Sequence, residues 1–227
     1  MALVTGASRG IGLAVADELR AVGAHVVRLA RSLSDGARER DTTFRCDVSK
    51  PDDVARVIGA ILGGVGAPHI VVNNAGSFFI KRITETSPAE FADSLAVNVT
   101  GPFLITRALL PALVARGNGH FVTIGSIADH VGYSGNAAYA ASKFAMRGFH
   151  EVLRAELAGT GVRTTLVSPG PVNTDVWDPI QPDTLPGFTK RRDMMLPEDV
   201  AEAVLFAVTR PARADVTEIR IMPGGKQ

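Results

Sequence analysis

Three side chains in one stretch are of types that move protons. Ser126 is followed thirteen residues later by Tyr139-Ala140-Ala141-Ser142-Lys143. If the second part is helical, Tyr139 and Lys143 share one face, a turn apart. An ammonium placed there favours the phenolate and draws the phenol down from its usual pKa of about 10. That describes an acid able to give and take a proton near neutrality. A serine hydroxyl at the end of a neighbouring strand would hold the same oxygen that the tyrosine protonates. These groups carry protons and not electrons, so the electron source has to lie elsewhere in the chain.

It is suggested at the start. Ala2-Leu3-Val4 is an apolar run of strand character that feeds Thr5-Gly6-Ala7-Ser8-Arg9-Gly10-Ile11-Gly12, after which residues 13–22 follow helical spacing. Strand, glycine loop and helix form a phosphate-binding context. Gly6 permits the tight turn, Gly10 lets backbone approach a pyrophosphate and Gly12 allows close helix packing, with the helix N-terminus facing the anion. No Gly-Lys-Ser/Thr follows, so this is not a nucleotide triphosphate loop. A second strand is expected over residues 25–29. An Asp or Glu at its end would bind the ribose 2′-hydroxyl of NAD, but the chain has Ala30, Arg31 and Ser32, with Arg9 close by in such a fold. Two guanidiniums suit a 2′-phosphate, which favours NADP over NAD. Arg28, inside the strand, has no explanation at this level.

The remaining elements must position these groups. A third strand is expected at residues 43–46, ending in Asp47-Val48, then a helix over 51–62 with Pro51 in its first turn. A fourth strand at 70–72 closes on Asn73-Asn74-Ala75-Gly76, read as a rim of the cofactor crevice. Ser87-Pro88-Ala89-Glu90 carries a capping-box pattern and opens a long helix to about residue 115. Within that helix Pro102 cannot donate to the carbonyl of Asn98, leaving an acceptor that could hold a water in a cleft. A fifth strand at 120–124 delivers Gly125-Ser126, and the helix over 136–158 carries Tyr139 and Lys143. A sixth strand at 162–167 ends in Ser168-Pro169-Gly170-Pro171-Val172-Asn173-Thr174.

Between residues 175 and 196 the periodicity fails, with Pro179, Pro182 and Pro186 interrupting any long helix. This irregular, apolar stretch is read as a lid over an apolar substrate, with Phe78, Phe79 and Tyr133 as further pocket walls. A last helix is expected at 197–208 and a seventh strand at 217–222. Alternating strands and helices imply an α/β chain: a single Rossmann-like, doubly wound domain, seven parallel strands with helices on both faces, its site beyond the carboxyl ends of the strands.

Composition narrows the class. The 227 residues suit one domain, and 24 Lys plus Arg against 23 Asp plus Glu give a net charge of +1. No global field selects nucleic acid or an anionic membrane. The clusters Arg38-Glu39-Arg40 and Lys190-Arg191-Arg192 read as solvated loops. Cys46 is the only cysteine, which rules out an internal disulfide and a thiolate metal cluster. The five histidines show no ligand spacing, so no metal is expected. No continuous apolar run of membrane-spanning length and no leader pattern is seen, and a cytoplasmic location is expected.

Taken together, these residues resemble the short-chain dehydrogenase/reductase family, in order and spacing from Ala2 to Thr174. The resemblance implies that Asn98, Ser126, Tyr139 and Lys143 form a catalytic tetrad. It implies that Gly6, Ser8, Arg9, Gly10, Ile11 and Gly12 line the pyrophosphate and adenosine side, with Asp47 and Val48 at the adenine. Asn74, Ala75 and Gly76 would lie beside the ribose, and Pro169, Gly170, Val172 and Thr174 at the nicotinamide. The implied reaction reduces an aldehyde or ketone with NADPH, Tyr139 acting as general acid. In that family the Asn holds a relay water by its main-chain carbonyl and the lysine also binds the ribose. The alternatives are a 3-oxoacyl thioester reductase, a 3-hydroxy acid dehydrogenase, or a nicotinamide-sensing binding protein without turnover. A homodimer or homotetramer is implied, its dimer face on the helices over 87–115 and 136–158. The C-terminal Glu218-Ile219-Arg220-Ile221-Met222-Pro223 departs from the glycine-rich closing stretch of many members. There the chain looks more like a branch acting on small hydroxy acids and assorted carbonyls.

Overall fold

Strand alternation sends Leu3 to one side of the sheet and Ala2 and Val4 to the other, and the same division repeats at Val27 and Leu29 against Val26. Each side then needs its own helical cover. A computed structural model, describing residues 1–224, shows how this is met. The strands are β1 (Ala2–Thr5), β2 (Val26–Ala30), β3 (Gly36–Arg38), β4 (Asp41–Arg45), β5 (Ile70–Asn73), β6 (Gly119–Ile124), β7 (Val162–Pro169) and β8 (Glu218–Ile221). They form one sheet in the order β3-β4-β2-β1-β5-β6-β7-β8. All neighbours are parallel except β3 and β4.

The seven expected strands are present, and β3 is an addition. Its three residues, Gly-Ala-Arg, are all exposed, so no apolar pattern announced it. The chain works outward from β1 in one direction and then in the other, which places the topological switch point between β1 and β5.

The helices are α1 (Gly10–Ala21), α2 (Pro51–Gly64), α3 (Pro88–Leu95), α4 (Gly101–Arg116), α5 (Ala137–Glu156) and α6 (Pro197–Val208). On one face Leu3, Val27, Leu29, Val71 and Phe121 pack with Val57 and Ile61 of α2, Ile105 and Leu109 of α4, and Leu153 of α5. On the other, Val4, Val26, Val72 and Val122 meet Val15 and Leu19 of α1 and Val200 and Val204 of α6.

The capping box at Ser87 forms as expected: Glu90 N donates to Ser87 Oγ at 3.2 Å and Ser87 N to Glu90 Oε2 at 2.8 Å. The helix it opens is continuous from Pro88 to Arg116 but widens into a π turn over Ala96–Thr100, around Asn98 and just ahead of Pro102. By length and composition it would suffice to cross a membrane. Here Ile105, Leu109 and Leu113 are wholly buried in the core.

Arg28 now has a reason. Its Nε and Nη2 donate to the two carboxylate oxygens of Asp41 at 2.8 and 2.5 Å, tying β2 to β4 with a forked pair in which Asp41 is buried and Arg28 partly so. The strand expected at 43–46 in fact begins at Asp41, where Arg28 finds its partner.

Candidate active site

Each sequence feature at a strand end opens into one cleft of about 1000 Å³ along the carboxyl edge of the sheet. Its floor begins at the glycine loop. Gly6 and Gly10 adopt positive φ (66° and 54°), which costs glycine nothing. Gly12 is required by proximity: a Cβ there would lie 2.3 Å from Asn74 Nδ2 and 2.5 Å from the Gly6 carbonyl oxygen. Asn74 ties this loop to the end of β5, its Nδ2 donating to Thr5 O at 2.8 Å. Thr5 Oγ1 in turn accepts from the backbone N–H groups of Asn74 and Ala75, both at 3.0 Å. Asn74 is thus a brace for the cradle as well as part of its wall.

At the far end of this half lie Arg31 and Ser32, just past β2, with Ala30 where an acidic residue would repel a phosphate. Arg9 is largely exposed and stands 3.9 Å from Asp175 across the cleft mouth. Asp47 and Val48 follow β4, and Pro169, Gly170, Val172 and Thr174 follow β7. All the expected cofactor-lining residues are on the wall, Ser8, Ile11 and Gly76 included. The cradle and the volume fit a dinucleotide.

Ser126, Tyr139 and Lys143 all line this cleft. Ser126 follows β6, its Oγ accepting from Ala128 N at 3.1 Å within a tight turn. Tyr139 and Lys143 stand one turn apart on α5. Lys143 Nζ donates to Ile124 O at 2.9 Å and lies 5.5 Å from the centroid of the Tyr139 ring. The expectation of a phenol drawn down by this ammonium is corrected. Burial dominates and pushes the Tyr139 phenol up to about 12; the hydroxyl of Ser126 pulls the other way, and the charge of Asp129 adds to the rise. Burial also brings Lys143 down to about 8, opposed by Asp129.

Asn98 is the one expected catalytic residue off the cleft wall. Its side chain is buried and fully employed: Nδ2 donates to Ser142 Oγ at 2.9 Å and Ser77 O at 3.0 Å, while Oδ1 accepts from Ser77 N at 2.7 Å. It fastens the α3–α4 helix to α5 and to the loop after β5.

The family model for short chain dehydrogenases matches residues 1–185. The chain belongs to the short-chain dehydrogenase family. An uncharacterised oxidoreductase of Staphylococcus epidermidis is 32% identical over 229 residues, covering 98% of this chain and 96% of that protein. Among solved structures, the closed form of a serine dehydrogenase complexed with NADP+ superposes with a TM-score of 0.87 at 28% identity, over 97% of this chain and 93% of that one. An alcohol dehydrogenase from the archaeon Thermococcus sibiricus, complexed with 5-hydroxy-NADP, gives 0.86 at 27% identity, over 100% and 97%.

In this short-chain dehydrogenase the sequence reading missed Asp129. The residue is fully buried, and its Oδ2 accepts from Ser168 Oγ at 2.6 Å and from Ser126 N at 3.2 Å. Room for it exists because residue 125 is glycine: a Cβ there would lie 2.3 Å from that oxygen. Its Oδ1 faces His130 Nε2 at 3.3 Å, and His130 reaches Glu218 and Arg147 nearer the surface. The signal available was the spacing Ser126-x-x-Asp129, which is that of a capping box.

The rest of the cleft belongs to the irregular stretch at 175–196, which winds through three short 3₁₀ turns. Trp177 lies edge-to-face with Phe78, and Phe78 edge-to-face with Tyr139, at centroid distances of 5.1 and 4.8 Å. Phe188 closes on Trp177 at 6.5 Å. Tyr133 lines the cleft, but Phe79, expected there, does not. Within the cluster 190–192, Lys190 and Arg191 are engaged. Lys190 Nζ donates to Asp183 O at 2.7 Å, and Arg191 reaches Asp178 and, at 3.3 Å, Asn173. Only the side chain of Arg192 stands out in solvent.

Proposed function

We propose that this short-chain dehydrogenase reduces an aldehyde or ketone to an alcohol with NADPH, and runs the reverse reaction with NADP+. The observation that carries the reading is the convergence of Ser126, Tyr139 and Lys143 on a cleft whose other half is a glycine cradle ending in Arg31 and Ser32. The bound cofactor supplies the hydride. Tyr139, whose phenol keeps its proton at neutral pH, delivers that proton to the carbonyl oxygen as charge develops there. Ser126 Oγ orients and stabilises the same oxygen. Lys143, anchored on Ile124 O, places its charge behind the phenol and within the ribose-binding side of the cleft. Asn98 would contribute by its main-chain carbonyl, holding the water that links Lys143 to solvent, because its side chain is already committed. Arg31 and Ser32, with Arg9, would grip the 2′-phosphate and set the preference for NADP(H) over NAD(H).

Exposed Phe103 and Val114 on α4, and Phe144 and Val152 on α5, support pairing of two copies across these helices. A cytoplasmic location is part of the same reading. One further reading has a specific observation in its favour: the likeness to a serine dehydrogenase supports a hydroxy acid as the alcohol substrate. Oxidation of NADPH at 340 nm against aldehydes, ketones, keto acids and 3-oxoacyl thioesters tests both. Tight NADPH binding with no turnover of any member of such a panel would instead favour a nicotinamide-sensing protein.

A further inference from the structure

The wall opposite the nicotinamide side carries a chemical preference of its own. Around Tyr139 it is built from Phe78, Ile80, Val176, Trp177 and Phe188, with uncharged polar groups such as Ser134 and Thr189; the charged residue that the 175–196 stretch adds to the wall is an acid, Asp175, which faces Arg9 at the mouth. The aromatic members meet edge to face, leaving ring surfaces that a flat guest can continue. Trp177 presents no free polar atom here, because its Nε1 donates to Val172 O at 2.9 Å.

Among the described residues, the cations nearest this wall either have partners of their own or stand on the other side of the cleft. Arg9 and Arg31 stand on the cofactor side, and Lys143 donates to Ile124 O behind the phenol. Lys190 and Arg191 are spent on fastening the 175–196 stretch to itself and to Asn173. Lys81 is paired with Glu90 at 2.6 Å. Asp129, buried behind Ser126, adds a negative charge on the side from which a substrate carboxylate would need help. A carboxylate entering this half would exchange water for ring faces and neutral hydroxyls, with no cation among the described residues of this wall to offset the loss.

We infer that the substrate half of the cleft takes a neutral aromatic or alicyclic carbonyl compound, or the matching alcohol, and that Trp177 is its specificity-determining residue. This rests on the carbonyl-reductase reading and narrows it. It also sets the chain apart from the serine dehydrogenase it resembles in fold, whose named substrate is an amino acid with a carboxylate.

Matched pairs that differ by methyl against carboxylate test it. With NADPH, acetophenone should be reduced with a kcat/KM at least about 100-fold above that for phenylglyoxylate, a ratio within the range of pocket-based discrimination. Trp177→Ala should raise KM for acetophenone about tenfold while changing kcat/KM for a short aliphatic aldehyde less than about threefold, and Trp177→Phe should restore most of the loss. Any change in NADPH affinity from the lost Trp177–Val172 bond is common to both variants and both substrates, so the contrast between acetophenone and the aldehyde, and its rescue by Phe, reports on the substrate wall. Trp177 is the only tryptophan, so ligand binding can be read from its fluorescence without turnover. In the NADP+ complex of Tyr139→Phe, which holds the alcohol without oxidising it, 1-phenylethanol should quench it in a saturable manner at concentrations where mandelate does not.

Equal use of phenylglyoxylate, or binding of mandelate as tight as that of 1-phenylethanol, overturns the inference. So does failure of both alcohols to bind, or equal losses for aromatic and aliphatic substrates in Trp177→Ala. Selective binding of 1-phenylethanol with no turnover of any carbonyl would sink the reductase reading and leave the ligand class standing.

Discussion

The two halves of the cleft are built on opposite principles. The cofactor half is made of strand ends and a glycine loop, where a missing Cβ at Gly12 and the paired bonds of Thr5 and Asn74 leave backbone against backbone. The substrate half is made of side chains carried by an irregular stretch, held by Lys190 on carbonyl groups and by ring edges on ring faces. Change in the first half disturbs the scaffold itself, whereas the second can be re-lined by substitution on a connecting segment. The difference explains how one fold keeps a common cofactor geometry while its substrate wall varies.

Substitutions in the two halves should differ widely in effect. The largest effect is expected at the seam, where Tyr139→Phe should cut kcat by about 10³-fold or more, within the span attributed to positioned proton donors. NADPH affinity should hold, as checked by fluorescence titration; undiminished turnover would place the acid elsewhere. In the rigid half, Gly12→Ala forces a methyl group into Asn74 and the Gly6 carbonyl. A stability loss of about 1–3 kcal/mol is expected in thermal or denaturant unfolding, accompanied by weaker NADPH binding. Arg31→Ala should raise KM for NADPH by about 10- to 100-fold and leave NADH nearly unaffected, a charge-assisted contact being worth about 1.5–3 kcal/mol. Equal losses for both cofactors would remove the assignment of the 2′-phosphate.

The smallest effect concerns pH. The reduction rate should fall as pH rises through about 8, where Lys143 loses its proton. Asp129 raises both Lys143 and Tyr139, so Asp129→Asn should move that fall to lower pH, by up to about one unit. A pH–rate profile of unchanged midpoint would reduce Asp129 to a bracket for the Ser126 turn.

Much of this architecture was legible in the chain, for identifiable reasons. The parallel strands announce themselves as short apolar runs, and α6 begins and ends where its proline and its periodicity say. The glycine loop and the Tyr139–Lys143 pair are local features whose spacing carries their geometry. What was hidden depends on partners distant in sequence or on burial. Arg28 needed Asp41 across two strands, and β3 has no apolar residue pattern to show. The raised phenol of Tyr139 escaped because the rule for a neighbouring cation is local, while the desolvation that outweighs it comes from the whole cleft. Pro102 draws attention to Asn98 in the sequence, and the helix does widen around it, but the use of its side chain as a clamp on Ser77 and Ser142 depends on elements meeting in space.

The absent side chain at position 125 has an evolutionary corollary. Because the space it leaves is filled by a carboxylate oxygen of residue 129, the two positions are not free to drift separately. Descendants of this sequence that acquire alanine at 125 should have already traded Asp129 for something smaller, and the order of those two substitutions decides whether the lineage passes through a non-functional intermediate.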